Sequence, residues 1–205
     1  IDLMSALPGQ TLESWRSTLR KVLMLRPEHI SAYSLIIEEG TPFAQKKLIL
    51  PTEDEEYQMY EDTAEILRKY GFHQYEISNY ARDGFECRHN KGYWQRTEYL
   101  GAGLGAASLF QGKRFSNTRD MQTYLADSTE PEKIREDVTA LSRNNEIEEF
   151  MFLGLRMTEG ISERQFERNF GCRIEDIYGS VLAKYKEMDL LEHTGEFWRF
   201  TRKGI

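Results

Sequence analysis

Cysteine is scarce in this sequence of 205 residues, which contains only Cys87 and Cys172. The two lie far apart, and no CxxC or CxxxC cluster occurs. An iron–sulfur cluster needs about three or four thiolate ligands, so these cysteines cannot hold one by themselves. So few cysteines also argue against a disulfide framework, and a reducing, cytoplasmic compartment is the natural prediction.

Long apolar runs and an excess of positive charge are missing too. No run approaches the ~20 apolar residues of a membrane-spanning helix, so membrane contact is expected only through a partner. Lys and Arg total 27 against 34 Asp and Glu, which gives a net charge of −7. An acidic chain is a poor candidate for binding a phosphate backbone, so no nucleic-acid partner is expected.

The first residues resemble the inside of a β-strand. Ile1–Met4 is apolar apart from one acid, so we expect the chain to start within a strand and to form the back part of a larger domain. Such a part is not expected to complete that domain's chemistry alone. Thr11 can cap a helix that runs to about Leu25, and residues 29–37 read as a second strand. A strand–helix–strand unit predicts a parallel sheet.

The middle of the chain continues the alternation of helix and strand and then becomes irregular. Thr52 and Glu55 form a capping box, which predicts a helix to about Tyr70. Residues 73–78 read as a third strand. Residues 79–97 are aromatic, charged and without clear periodicity, and we predict a long irregular loop.

The last third has a different character. Residues 127–145 are polar and predict a linker. Three helical patterns follow from residue 146, and residues 190–200 read as a hairpin. This order predicts a small winged-helix-like unit. Its recognition-helix candidate, residues 173–188, mixes acids and bases and is not a basic stripe, so DNA binding is not expected.

Asp2 is the first candidate for chemistry. An acid in an apolar strand is costly to bury unless it meets a partner or a ligand. In parallel α/β folds, ligands bind at the carboxyl ends of the strands. The structural alternative is that Asp2 pairs with a polar group of the neighbouring strand.

The second candidate is the segment 87–94, which gathers Cys, Arg, His, Asn, Tyr and Trp within eight residues. A neutral imidazole at His89 could ligate a metal or haem iron, and Cys87 is a softer alternative. Tyr93 and Trp94 could flank a flat aromatic ligand. In the structural alternative, His89 and Asn90 satisfy buried backbone groups while the two aromatic residues cover the end of the sheet.

The third candidate is the small-residue segment 101–108. It lacks the Lys-Ser/Thr of a phosphate-binding P-loop and the GxGxxG spacing. Small residues at such a position allow a ligand or another backbone to approach closely.

A series of motifs in order resembles the HemW family over essentially the whole chain. The matching segments are Asp2–Met4, Leu7–Thr11, Ile30–Leu35, Glu38–Pro42, Tyr75–Asn79, Arg88–Trp94, Tyr99–Gly101, Phe152–Arg156 and Thr158–Gly160. HemW proteins are radical S-adenosylmethionine (SAM) proteins related to oxygen-independent coproporphyrinogen III oxidases. The resemblance implies a haem chaperone that binds haem and passes it to haem-accepting proteins.

The resemblance also implies an α/β fold in two parts. Residues 1–126 would be the C-terminal part of a partial (β/α) radical-SAM barrel, and residues 127–145 a linker. Residues 146–205 would be a HemN-type, winged-helix-like C-terminal domain. In the family a [4Fe–4S] cluster and SAM are held by the first half of the barrel, which this sequence lacks, so the chain is predicted to be inactive alone. Two alternatives stay open: a coproporphyrinogen III oxidase-like oxidoreductase of porphyrin biosynthesis, and a winged-helix interaction module.

For the SAM pocket, the resemblance implies a contact from Asp2 and places Ile36 and Ala107 near the pocket lining. One departure from the family occurs at Ser5 and Ala6, where many relatives carry Tyr-Gly. An Ala in place of Gly would tighten the floor of this pocket.

For haem, the HNxxYW motif is complete in this sequence. It comprises His89, Asn90, Tyr93 and Trp94, and in the family it is tied to haem ligation. The resemblance therefore implies that His89 is the haem-iron ligand. No catalytic residue is assigned, and the oligomeric state cannot be read from the sequence.

Overall fold

A computed structural model describes residues 1–205 and divides them into two compact units, Ile1–Cys87 and Arg88–Ile205. We describe each unit by itself. None of its helices is both long enough and apolar enough to cross a membrane.

The first unit is a four-stranded sheet covered on one face by two helices. Its elements are β1 (Asp2–Ser5), α1 (Leu12–Met24), β2 (His29–Ser34), α2 (Glu53–Lys69), β3 (His73–Glu76) and β4 (Asn79–Ala81). The strand order is β1-β2-β4-β3. β1 and β2 are parallel, with Asp2 opposite Ser31 and Met4 opposite Tyr33, which confirms the predicted strand–helix–strand unit.

Both helices begin where the sequence indicates. The Thr11 side chain accepts a hydrogen bond from the backbone of Ser14 at the start of α1, and Thr52 does the same with Glu55 at the start of α2. These caps satisfy backbone N–H groups that the first turn leaves without partners. Behind them the two helices bury an apolar core against the sheet. It contains Trp15, Leu19, Leu23, Ile30, Ala32, Met59, Ala64, Leu67, Phe72 and Tyr80.

The predicted third strand is shorter than expected and folds back as a hairpin. Residues 73–78 were expected to be one strand, but β3 ends at Glu76 and the chain returns as β4 between β2 and β3. The Glu76 carboxylate accepts hydrogen bonds from the backbone N–H of Ser78 and from Nδ2 of Asn79. A side chain therefore closes this turn, and no Gly or Pro signals it in the sequence.

The second unit contains two small antiparallel sheets and five α-helices. Its elements are α3 (Arg88–Trp94), β5 (Ala107–Phe110), β6 (Lys113–Asn117), α4 (Met121–Asp127), β7 (Arg135–Ala140), α5 (Arg143–Gly154), β8 (Ile161–Ser162), α6 (Glu163–Phe170), α7 (Ile174–Glu187), β9 (Leu191–Thr194) and β10 (Phe197–Phe200). One sheet has the order β5-β6-β7 and the other β8-β10-β9.

Two stretches differ from the sequence-based expectation. The expected loop 79–97 contains β4 and the helix α3, and the expected linker 127–145 contains β7. β7 is mostly exposed and polar, so its own sequence carries no strand pattern. It is a strand because its backbone pairs with β6 along nearly its whole length.

The predicted helices and hairpin of the C-terminal part are confirmed. Ser142 caps α5 and Ser162 caps α6, and α7 precedes the β9–β10 hairpin. A third short strand, β8, joins that hairpin. The core of this part contains Ile147, Phe150, Met151, Ile161, Phe166, Phe170, Ile174, Leu182, Leu191 and Trp198. The predicted domain boundaries, with a barrel part at residues 1–126, a linker at 127–145 and a C-terminal domain at 146–205, stay a prediction.

Candidate functional site

A row of polar side chains crosses the first sheet on the face opposite its helices. Strand register places Asp2 opposite Ser31, Ser31 opposite Asn79, and Asn79 opposite Glu76. Paired residues share a face of a sheet, while Ile30 and Tyr80 point to the helix-covered face with the apolar core. Asp2 therefore lies at one end of a polar row, with Glu76 at the other end.

The Glu76 end of this row is buried. Glu76 is fully buried, and Asn79 Nδ2 donates a 2.5 Å hydrogen bond to its carboxylate. This bond turns the amide oxygen of Asn79 away, and that buried oxygen has no hydrogen-bond partner. In a regular strand, where side chains alternate between the two faces, Gln74 and Glu76 would share a face. A bulge between them breaks the alternation, so Gln74 instead donates to the Tyr60 hydroxyl.

His29 and Tyr75 form a second polar pair in this unit. The Nε2 atom of His29 lies 2.8 Å from the Tyr75 hydroxyl, and Tyr75 is buried. Burial, followed by the charge of the terminal amine, lowers the pKa of His29. The neutral imidazole is therefore favoured at this position, which sequence reasoning did not single out.

The three residues expected near SAM are all accessible. Asp2 and Ile36 are exposed in the first unit and Ala107 is exposed in the second. Asp2 lies at the amino end of β1, whereas Ile36 follows the carboxyl end of the parallel strand β2. The two residues therefore lie at opposite ends of the paired strands, and Asp2 is not at the carboxyl end, where ligands bind in parallel α/β folds. The neighbouring Ala6 is buried and has a positive φ of 56°, which is a backbone conformation that favours glycine.

The HNxxYW motif forms the helix α3 and is not part of an irregular loop. His89 is exposed on this helix. Its ring packs edge-on against Tyr93 with centroids 4.5 Å apart, and Tyr93 packs edge-on against Tyr99 at 4.6 Å. The imidazole is thus oriented by an aromatic neighbour one helical turn away and stays open to solvent.

Trp94 lies at the end of α3 beside a cavity of about 360 Å³. The Arg156 guanidinium stacks over its ring at 4.2 Å. Its indole nitrogen is buried and has no hydrogen-bond partner. The two ends of the motif thus differ, since the His89 imidazole is exposed to solvent and the Trp94 indole N–H is buried without a partner. The cavity is lined by Trp94, Gln95, Phe150, Gly154, Met157, Glu159, Gly160, Ile161, Ser162, Arg164, Gln165, Arg168, Glu196 and Phe197.

Three charged residues that the sequence did not single out connect the segment after α3 with α5 and β6. Arg96 Nε lies 3.1 Å from one oxygen of Glu149 on α5, and Arg114 Nε on β6 lies 2.6 Å from the other. Burial alone would raise the pKa of Glu149, but the two arginine hydrogen bonds outweigh it and the pKa is lowered. Nothing in the sequence indicates that residues 96, 114 and 149 meet.

Within the small-residue segment 101–108, two stretches of backbone lie in close contact. A Cβ added to Gly101 would lie 2.3 Å from the Ala107 carbonyl oxygen. The Asn117 side chain donates to the carbonyl groups of Gly101 and Gly103, and Ser108 accepts from the Gly101 amide. Of the two alternatives, a ligand or another backbone, these contacts favour the close approach of another backbone at Gly101.

The chain is similar in sequence to known proteins along its whole length. A family model of the HemN C-terminal domain matches residues 141–205. The heme chaperone HemW of Lactococcus lactis is 40% identical over the whole chain, and that of Bacillus subtilis is 37% identical over the whole chain. The chain belongs to the HemW family. It spans 55% of the length of each of these two relatives.

The HemW-family fold is matched by a solved structure as well. The coproporphyrinogen III oxidase HemN of Escherichia coli, a radical SAM enzyme, is 22% identical, with a TM-score of 0.80 over 100% of this chain and 51% of that protein. At this identity the likeness shows the fold alone. The predicted α/β class, with part of a radical-SAM barrel and a winged-helix-like C-terminal part, is confirmed.

The metal-binding capacity of this HemW-family chain is limited. No group of three or more His, Cys, Asp or Glu side chains is placed to hold a metal ion. Cys87 and Cys172 are free and lie in different units. The donor set therefore does not fit a [4Fe–4S] cluster, which needs about three or four thiolates.

Proposed function

We propose that this chain binds haem through the helix α3, as part of a haem chaperone that passes haem to haem-dependent proteins. The observation that carries the proposal is the exposed imidazole of His89, set edge-on to Tyr93 at 4.5 Å on a helix of the complete HNxxYW motif. A haem ligand needs a neutral imidazole with an open approach for the iron. The exposed ring of His89 offers this open approach.

The relatives support the chaperone over the oxidase. Proteins named heme chaperones are 40% and 37% identical to this chain, whereas the oxidase structure is 22% identical and carries an argument for the fold only. We therefore keep the oxidoreductase as the alternative, without a geometric observation of its own.

The SAM part of the proposal concerns a longer protein. SAM bound to a cluster supplies radical chemistry in this superfamily, and the cluster ligands would have to come from outside this chain. Asp2, Ile36 and Ala107 are the residues that we propose to face SAM. Their exposure supports this role. Ser31 shares the face of Asp2 by strand register and would extend the polar side of the pocket.

The haem-ligand assignment is tested by titrating the purified chain with haem and recording the absorbance spectrum. We expect a haem band that His89→Ala weakens or shifts. His193→Ala, which changes a half-buried histidine 2.9 Å from Glu163, is the control and should keep the wild-type spectrum. Cys87→Ser tests the sulfur alternative. An unchanged spectrum in His89→Ala would remove His89 from the role, and loss of the band only in Cys87→Ser would transfer it to the thiol.

Haem transfer needs a separate measurement, because binding alone does not make a chaperone. Haem-loaded chain should be mixed with apomyoglobin as a general haem acceptor, and the spectrum of the acceptor followed over time. We expect transfer to be faster than from haem bound to an unrelated carrier such as serum albumin. A chain that binds haem but never releases it to an acceptor would contradict the chaperone proposal.

A further inference from the structure

The helix that carries His89 is fixed at its C-terminal end by a buried carboxylate. We propose that Glu149 is a positioning residue for the HNxxYW helix, through which the C-terminal helical part sets the orientation of the haem-binding side chains. This inference rests on the proposed function, because it assigns a role to Glu149 in haem binding at α3.

The contacts of Glu149 join three separate elements. It lies on α5, receives Arg96 from the segment directly after α3, and receives Arg114 from β6. The side chain of Glu149 is 11% exposed and that of Arg96 is 14% exposed. A carboxylate with so little access to water depends on these arginines for its charge compensation. Each of its oxygens accepts one guanidinium hydrogen bond.

The backbone conformation at Arg96 directs its side chain towards Glu149. Arg96 has a positive φ of 56°, which costs energy for a residue with a side chain. The backbone amide of Arg96 donates to the Tyr93 carbonyl and that of Thr97 donates to the Gly92 carbonyl. The chain therefore turns sharply at the end of α3, and the turn delivers the Arg96 guanidinium to Glu149. Arg96 Nη2 also lies 3.6 Å from a carboxylate oxygen of Glu146, so Glu149 supplies the shorter of the two acidic contacts that hold Arg96 at this turn.

Arg114 connects the same carboxylate to the aromatic side of the helix. It interacts with Tyr99 as well as with Glu149, and Tyr99 packs against Tyr93, which packs against His89. From Glu149, one route reaches α3 through Arg96 and another reaches His89 through Arg114 and two tyrosines. Both routes stay within the second compact unit.

The test uses Glu149→Gln, which keeps the shape of the side chain and removes its charge. The matched control is Glu148→Gln, the exposed neighbour on the same helix. Arg96→Ala is the second variant. It leaves the Glu149–Arg114 pair intact and covers the case in which Glu149→Gln does not fold. Arg96→Lys should restore part of what Arg96→Ala loses, since it returns the charge without the planar guanidinium.

The first readout needs no haem. Hydrogen–deuterium exchange of peptides within 88–97 should be about 10-fold faster in Glu149→Gln and Arg96→Ala than in the wild type, while α6 and α7 keep their protection. Unchanged exchange in 88–97 would overturn the proposal. An equal acceleration throughout 143–205 would also overturn it, because it would show a general loss of stability.

The second readout is haem affinity with its absorbance spectrum. We expect binding about 10-fold weaker in Glu149→Gln and Arg96→Ala, with a shifted band, and wild-type behaviour in Glu148→Gln. If exchange accelerates but haem binding stays unchanged while His89→Ala weakens it, the positioning role is overturned. If His89→Ala also leaves haem binding unchanged, the proposed function fails instead, and with it any role of Glu149 in haem binding. The exchange result then still decides whether Glu149 anchors α3.

Discussion

Trp198 Nε1 donates a 2.9 Å hydrogen bond to Oε1 of Glu163, which joins β10 to the first turn of α6. His193 Nε2 lies 2.9 Å from the same oxygen, and its ring stacks on Trp198 with centroids 4.6 Å apart. Burial, and then a hydrogen bond with Glu175, raises the pKa of Glu163, against the opposing effects of Trp198 and His193. This carboxyl group therefore keeps its proton to a higher pH in the folded chain than an exposed glutamate does.

A pH dependence of stability follows from the raised pKa of Glu163. The folded state binds more protons than the unfolded state between the ordinary pKa and the raised one, so stability falls as the pH rises through that window. Glu163→Gln should remove this fall and gain stability relative to the wild type as the pH increases. Urea unfolding between about pH 4 and pH 7 measures the difference. Glu167→Gln on the exposed face of α6 should keep the wild-type slope, and a wild-type slope in Glu163→Gln would refute the assignment.

The indole of Trp15 gives a second prediction, about the first unit. Its Nε1 donates to the Thr63 hydroxyl at 2.9 Å and to the Met59 carbonyl at 3.2 Å, and Thr63 is buried. Thr63→Val keeps the volume but removes the hydroxyl, and should cost about 1–2 kcal/mol of unfolding free energy. Chemical denaturation measures it. Thr18→Val, which loses only a local bond to the Ser14 carbonyl, should stay within about 0.5 kcal/mol, and equal losses in the two variants would contradict this prediction.

Ala6 gives a third prediction, with the opposite sign. Its φ of 56° costs a residue with a Cβ about 1–2 kcal/mol, whereas glycine adopts it freely but loses about 0.5–1 kcal/mol through the greater freedom of the unfolded chain. Ala6→Gly should therefore stabilise the chain, by up to about 1 kcal/mol. Ala64→Gly within α2 should instead destabilise it by about 1 kcal/mol. Thermal unfolding compares the two, and destabilisation by both variants would show that Ala6 is not strained.

Part of the fold could be predicted because local signals agreed with the tertiary structure. Thr11 and Thr52 cap helices that also carry apolar faces, as their sequence positions indicate. The hairpin β3–β4 could not be predicted, because its turn depends on the Glu76 carboxylate and contains neither Gly nor Pro. Alternation failed at the same place, since a bulge moves Gln74 and Glu76 to opposite faces.

Part of the candidate site could also be predicted from the sequence, and part could not. The HNxxYW motif and Asp2 could be named from the sequence because a motif is recognised by its residue types and their spacing alone. Their surroundings could not. His89 is exposed on a helix where an irregular loop was expected, and the arginines that anchor this helix come from positions 96 and 114. Side chains that far apart in sequence meet only once the sheet and α5 are in place.

The amino-acid sequence by itself determined the family, the two capped helices of the first unit and the helical character of the C-terminal part, because these depend on motifs, caps and short-range periodicity. Only the tertiary structure decided that β7 is a strand, that Ser31 and Asn79 extend the row begun by Asp2, and that Glu149 meets two arginines. Strand pairing and buried ion pairs are long-range contacts. Their free energy depends on which backbone and which charges the fold brings together, and no local pattern records that.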